Sequence, residues 1–181
     1  DANGNNTRLN WDEEGKFLLK VADAAGQETS FDYNLSGDSA DTLNYSIDTE
    51  GRKTQYEYED SSNPRLPTRI QVLDAEDNIL RWQEFTYDSY GRTLTETSLD
   101  PNDGVTVLQG IIKTYVSSGD GAGLLESVTI DDPLASSTTY TYDTFGRVIK
   151  TAQSSLFGSC QFSYSVYDEA GNVVATVCGR Q

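Results

Sequence analysis

Asp and Gly stand three residues apart again and again in this chain: Asp1/Gly4, Asp12/Gly15, Asp23/Gly26, Asp48/Gly51, Asp88/Gly91, Asp120/Gly123, Asp143/Gly146 and Asp168/Gly171. The spacing is that of a tight hairpin loop, in which a type I turn is followed by a residue of positive φ. Glycine adopts that conformation without a Cβ clash. Asp at the first position accepts a hydrogen bond from a backbone N–H two residues on. Both residues are needed for geometry rather than for chemistry. Looser versions fill the gaps: Asn34/Gly37, Asp60/Asn63, Asp74/Asp77, Asp100/Asp103, Asp132/Ala135 and Ser155/Gly158. Removing the turn residues leaves strands of about six to nine residues, within the usual range.

Between the turns, Thr, Tyr, Val and Ile alternate with polar residues, which is strand periodicity. The best helical candidate, 14–22, is short and sits between two Asp-x-x-Gly units. The segment from Asp100 to Gly119 is longer than the other intervals and holds either a long strand pair or an irregular excursion. The expected fold is all-β: an antiparallel meander of about 13 short strands, forming one domain over residues 1–181. A sheet of that many strands is expected to twist and to curve or spiral. Hairpins that bury a face only against their neighbours share their stability along the array.

Composition excludes several functions. The chain has 181 residues, 13 of them basic and 29 acidic, for a formal net charge of −16. That argues against nucleic acid or an anionic membrane surface as partner. There is no His, which removes Ser-His-Asp and Cys-His catalysis and His-ligated zinc. No apolar run approaches the length of a membrane-spanning helix, so membrane insertion is not expected. The chain begins at Asp1 without Met and is expected to be a piece of a longer protein.

The last hairpin is specific enough to predict contacts. Gly171 at the positive-φ position pairs Asp168 with Asn172, then Tyr167 with Val173, Val166 with Val174, Tyr164 with Thr176 and Phe162 with Cys178. Phe162, Tyr164, Val166, Val174 and Cys178 then share the face better suited to burial. Cys160 lies diagonal to Cys178, at a separation of about 7–8 Å that is wide for a disulfide, so two free thiols are expected.

The stretches "YTYDTFGRVIKT", "FTYDSYGRTLTET" and "VYDEAGNVVAT", with the opening "DANGNN", resemble the YD repeats of the RHS (rearrangement hot spot) family. "DDPLASSTTYTYDTFGRV" resembles that family's linked pair of units, with Ala135 in place of a glycine. The resemblance is specific at 85–95, 131–151 and 164–176 and degenerate at 30–80 and 100–130. The family includes polymorphic toxins, C components of insecticidal toxin complexes, wall-associated proteins and teneurins. It implies a β-ribbon that spirals into a hollow shell, enclosing a C-terminal effector in the toxins. Neither the self-processing motif that ends such a shell nor an effector is visible, since a full unit follows Asp131, Asp132 and Pro133. The resemblance therefore implies a non-catalytic piece of wall in a secreted or surface-exposed bacterial protein. Its implied partners are the rest of the same shell and an enclosed toxin domain.

Sharper functions are weighed against this structural one. Asp12, Glu13 and Glu14 beside Trp11, and Glu57 and Glu59 in "YEYED", suggest a glycosidase carboxylate pair. With 29 acidic residues, clustering of this kind arises by chance. "DPNDG" at 100–104 and "SGDGAG" at 118–123 are rich in oxygen ligands but match neither the EF-hand nor the nonapeptide calcium pattern. No cofactor or metal is expected. The alternative function is a glycan- or protein-binding surface that uses exposed aromatics of the same sheet. Its candidates are Trp11 and Trp82, the latter having no echo in the other repeats.

Overall fold

The computed structural model describes residues 6–131, 136–154 and 161–180. Its strands are β1 (Arg8–Trp11), β2 (Leu18–Ala22), β3 (Glu28–Tyr33), β4 (Leu43–Ile47), β5 (Lys53–Glu57), β6 (Arg69–Leu73) and β7 (Ile79–Tyr87). They continue as β8 (Thr93–Leu99), β9 (Val107–Tyr115), β10 (Leu125–Asp131), β11 (Ser137–Tyr142), β12 (Val148–Ser154), β13 (Gln161–Tyr167) and β14 (Val173–Arg180). Hydrogen bonding follows the order of the sequence from β1 to β14, and no helix occurs among the described residues. This is the antiparallel all-β meander read from the turns. It has fourteen strands rather than thirteen because one more strand follows the last turn. The weak helical candidate at 14–22 is a turn leading into β2. The long interval after Asp100 holds one nine-residue strand, β9, between two wide loops.

The chain divides into two compact units, residues 1–92 with 98–107 and residues 93–97 with 108–181, β8 contributing to both. Strand–strand contacts within them run between sequence neighbours. Burial is correspondingly thin. Leu99 at 7% exposure, Gln83 at 8% and Gly110 are the buried residues among those described. Nearly all other residues of the first unit's strands after β1 are half-buried, shielded by lateral neighbours on their own face. In the first unit one such row runs Asp32, Tyr45, Gln55, Gln71, Trp82 across five strands. In the second, Thr114, Ser127, Thr139, Ala152, Phe162 and Gly179 form a lateral row in which Thr114 and Thr139 are exposed.

The predicted register of the last hairpin needs one correction. Tyr167 does face Val173, but Val166 faces Ala175, Tyr164 faces Val177 and Phe162 faces Gly179. A bulge between Val166 and Tyr167 inserts one extra residue in β14. Because side chains alternate with period two, that single residue moves Cys178 onto the face of Ser163, away from Phe162. Cys178 is an exposed free thiol. Cys160 lies outside the described residues, as do the turn pairs Asp1/Gly4, Asp132/Ala135 and Ser155/Gly158.

Candidate functional site: latched turns

The tight turns share one construction. At Asp143 the backbone N–H bonds the carbonyl of Arg147 at 3.0 Å, and Gly146 N–H bonds the carbonyl of Asp143 at 2.9 Å. Gly146 holds φ 77°, the conformation this loop demands. The same pair of backbone bonds closes the turns at Asp23, Asp48, Asp74, Asp88 and Asp168, ending in Gly26, Gly51, Asp77, Gly91 and Gly171. Asp77 adopts φ 63° in a position glycine takes elsewhere. Asp12 with Gly15 makes a version one residue longer, in which Asp12 N–H reaches the carbonyl of Phe17.

The aspartate side chains are consumed inside these turns. Oδ1 of Asp143 accepts from the N–H groups of Phe145 and Arg147, both at 2.9 Å, and its Oδ2 accepts from Arg147 Nε at 2.7 Å. Asp88 with Arg92 and Asp48 with Arg52 repeat this arrangement. Asn78 and Asn172 take the arginine's place at Asp74 and Asp168. The side chain after the glycine is thus a working part of the turn. The recurring "GR" and "GN" dipeptides carried that signal in the sequence. The arginines also lie over the turn-tip aromatics: Arg92 over Tyr90 and Arg147 over Phe145, each 5.1 Å from the ring centre.

These bonds hold the carboxyls of Asp48, Asp74, Asp88, Asp143 and Asp168 below their ordinary range. For Asp48 the largest cause is the Arg52 hydrogen bond, and for Asp74 and Asp168 it is the Asn78 and Asn172 amides. At Asp88 and Asp143 partial burial pushes upward but is outweighed by the arginine and backbone N–H donors together.

The tyrosine ahead of each odd-to-even turn from β3 onward is the element that joins one hairpin to the next. The phenols of Tyr33, Tyr58, Tyr87, Tyr115, Tyr142 and Tyr167 donate to the carbonyls of Leu18, Leu43, Pro67, Thr93, Leu125 and Val148, at 2.6–3.2 Å. Each acceptor stands at or just before the start of the preceding even strand. The placement follows one rule. The residue two beyond the acceptor faces a partner on the next strand, and the tyrosine lies three beyond that partner. The pairs Lys20/Ser30, Tyr45/Gln55, Arg69/Glu84, Ser127/Thr139 and Lys150/Tyr164 all obey it. A one-residue slip would carry the phenol to the other face, so the bond reads register. Burial raises the phenol pKa of Tyr58 and Tyr142.

Wider loops at 34–42, 58–68 and 116–124 replace tight turns in this series. Residues 34–42 and 116–124 share a bonding scheme, with Asn34 N–H on Thr42 and Val116 N–H on Leu124, and Ala40 N–H on Gly37 and Ala122 N–H on Gly119. Asp120/Gly123 is therefore not a tight turn, because Gly123 N–H bonds Val116 instead of Asp120. The "SGD-x-A" shared by the two loops was the overlooked sequence signal.

The remaining candidates are dispersed. Trp11 ends β1, 46% exposed. Trp82 is half-buried, its ring lying so close to Gly104 that a Cβ there would meet it at 2.5 Å. Its Nε1 donates to Glu84 at 3.3 Å, and Arg69 lies 5.4 Å from its ring centre. Glu57 and Glu84 both pair with Arg69, so Glu57 belongs to a strand-face ion triad. Glu59 lies beyond β5 in the following loop. Asp12 accepts from the N–H groups of Lys16 and Phe17, within its own turn.

Charge is partitioned between strands and turns. The strands carry seven acidic and eight basic residues, and the described turns and loops carry twenty acidic and five basic ones. The acidity of this chain is therefore a consequence of its turn chemistry.

These features define a repeat sheet whose working parts are turn caps and inter-hairpin latches. No protein-family model and no curated protein matches the chain. Solved structures of toxin-complex chains do. A chain of the Photorhabdus luminescens Tc holotoxin pore matches with TM-score 0.60 and 19% identity, covering 96% of this chain and 9% of that one. Chains of TcdB2-TccC3, crystallised with Cdc42 and alone, match with TM-score 0.52 and 18% identity, covering 95% of this chain and 10% of theirs. This chain spans about a tenth of the length of those chains and shares the fold of that stretch.

Proposed function

We propose that the chain is a non-catalytic segment of wall in a YD-repeat shell, with the remainder of the same polypeptide as its principal partner and an enclosed effector as its cargo. It would belong to a secreted or surface-exposed bacterial protein. The observation that carries this reading is the series of six tyrosine latches, which ties successive hairpins into an array. The use of the turn aspartates by their own backbones supports the absence of catalysis. The fold shared with toxin-complex chains supports the shell.

The test uses the full-length protein. Limited proteolysis of the native protein should spare a region outside residues 1–181, and replacing Tyr33 and Tyr142 together by Phe should make that region cleavable. If no such region is spared in the parent, the enclosing role fails. A surface-binding role for Trp11 and Trp82 is the second reading, favoured by the exposure of Trp11. Binding on a glycan array that is lost in Trp11→Ala would support it.

A further inference from the structure

We propose that Asp120–Gly121 is a site of spontaneous backbone isomerisation, at which the aspartate of the 116–124 loop becomes isoaspartate through a cyclic imide and unseats Tyr142. Asp stands directly before Gly twice in the sequence, at Asp103–Gly104 and at Asp120–Gly121. The reaction requires the backbone nitrogen of the second residue to reach the side-chain carboxyl carbon of the first. Glycine permits that approach because it has no Cβ. At this site the Gly121 nitrogen attacks Cγ of Asp120 and an N–Cγ bond forms. The carboxyl hydroxyl and the amide hydrogen leave together as water. Water then opens the ring, and opening at the α-carbonyl leaves the backbone running through Cγ, one methylene longer. The composition of the chain is unchanged, and no other reactant is consumed.

The fold treats the two Asp–Gly pairs differently. Oδ1 of Asp103 accepts from the N–H groups of Val105 at 2.9 Å and Thr106 at 2.8 Å, and its Oδ2 accepts from the Thr106 hydroxyl. Gly104 N–H donates to the carbonyl of Asp100 at 2.8 Å. Both reacting groups are tied there, and turning them toward each other breaks those bonds. Asp120 is exposed, its carboxyl has no hydrogen bond or ion pair among the described residues, and Gly121 N–H donates none. The 34–42 loop, with the same bonding scheme, supplies a second contrast. Asp38 is equally exposed and free, but Ser39 follows it, and a Cβ crowds the approach. Conversion at Asp120 reaches the latch directly. Gly121 lies so close to Tyr142 that a Cβ there would meet the ring at 2.6 Å, and its carbonyl accepts the Leu124 N–H at 2.8 Å. An added methylene displaces Gly121 from both, beside the Leu125 carbonyl that takes the Tyr142 phenol.

The experiment ages the full-length protein for weeks at neutral pH, once native and once in urea. Trypsin cutting at Lys113 places Asp103 and Asp120 on different peptides, and electron-transfer fragmentation separates isoaspartate from aspartate. In the native protein Asp120 should accumulate about tenfold more isoaspartate than Asp103, the ratio that about 1.4 kcal/mol of retained hydrogen bonding represents. In urea the two should convert alike, and Asp38 should trail in both conditions. Amide hydrogen exchange should rise in the aged native protein over the peptides that hold Gly123 and Leu124. Asp120→Glu keeps the charge but needs a larger ring, so it should show neither the conversion nor the faster exchange. Native protein in which Asp120 gains no more isoaspartate than Asp103 would overturn the proposal. So would unchanged exchange at Gly123 and Leu124 once Asp120 has converted.

Discussion

The phenol of Tyr142 donates to the carbonyl of Leu125 at 2.6 Å, across seventeen residues of sequence. It joins the β11–β12 hairpin to the β9–β10 hairpin. Because so few of the described residues are buried, contacts of this kind between neighbours bear a large share of its stability.

Tyr142→Phe removes the donor and keeps the ring. The expected cost is about 1 kcal/mol, read as a lower urea midpoint with unchanged strand circular dichroism. Titration gives an independent check. A phenol whose pKa is raised on folding contributes stability that is intact below the unfolded value near 10 and is lost as pH rises through the folded one. Absorbance titration should find Tyr142 and Tyr58 ionising above the ordinary phenol value, and Tyr142→Phe should lose less stability above pH 10 than the parent does.

The turn carboxyls act with the opposite sign. Asp48, Asp74, Asp88, Asp143 and Asp168 are lowered on folding, so each contributes stability present above the unfolded value of 3.8 and lost as pH falls through the folded one. Melting temperature should therefore fall steeply below about pH 4. Asp143→Asn should start lower at pH 7 and decline less over the same interval.

Asp77 and Gly146 make a paired backbone test. Asp77 sits at φ 63° and Gly146 at φ 77° in turns of one construction. Asp77→Gly should relieve strain and stabilise by up to about 1 kcal/mol, while Gly146→Ala should cost about 1–2 kcal/mol. Urea denaturation of both variants measures the difference. A destabilised Asp77→Gly or an unaffected Gly146→Ala would show that the loop does not demand left-handed backbone at that position.

Charge gathered at the turns predicts an unusual salt response. The strands are close to neutral and the turns strongly acidic, so added sodium chloride screens repulsion among the turns. Thermal stability should rise between low salt and about 0.5 M, most steeply at low ionic strength. A melting temperature that fell with salt would show that the Asp–Arg pairs of the turns outweigh that repulsion.

The turns were legible in the sequence because Asp-x-x-Gly acts within four or five residues, and a local motif needs no neighbour to be read. Strand periodicity likewise named β13 and β14. The bulge that sends Cys178 to the face of Ser163 was not legible, because it depends on how β14 docks against β13 after the turn has closed. Nor was the distinction between the tight turns and the wide loops at 34–42 and 116–124. There the carbonyl at the start of the loop, Asn34 or Val116, takes its bond from the N–H seven residues on, that of Asp41 or Gly123.

By itself the sequence determined the fold class, the place of most turns and the acidity that comes with them, since all three follow from residues acting within one hairpin. Only the tertiary structure decided what the tyrosines do. A phenol and a carbonyl fifteen to twenty-two residues apart meet only once two hairpins lie side by side in register. That proximity is a property of the assembled sheet, and no local pattern encodes it.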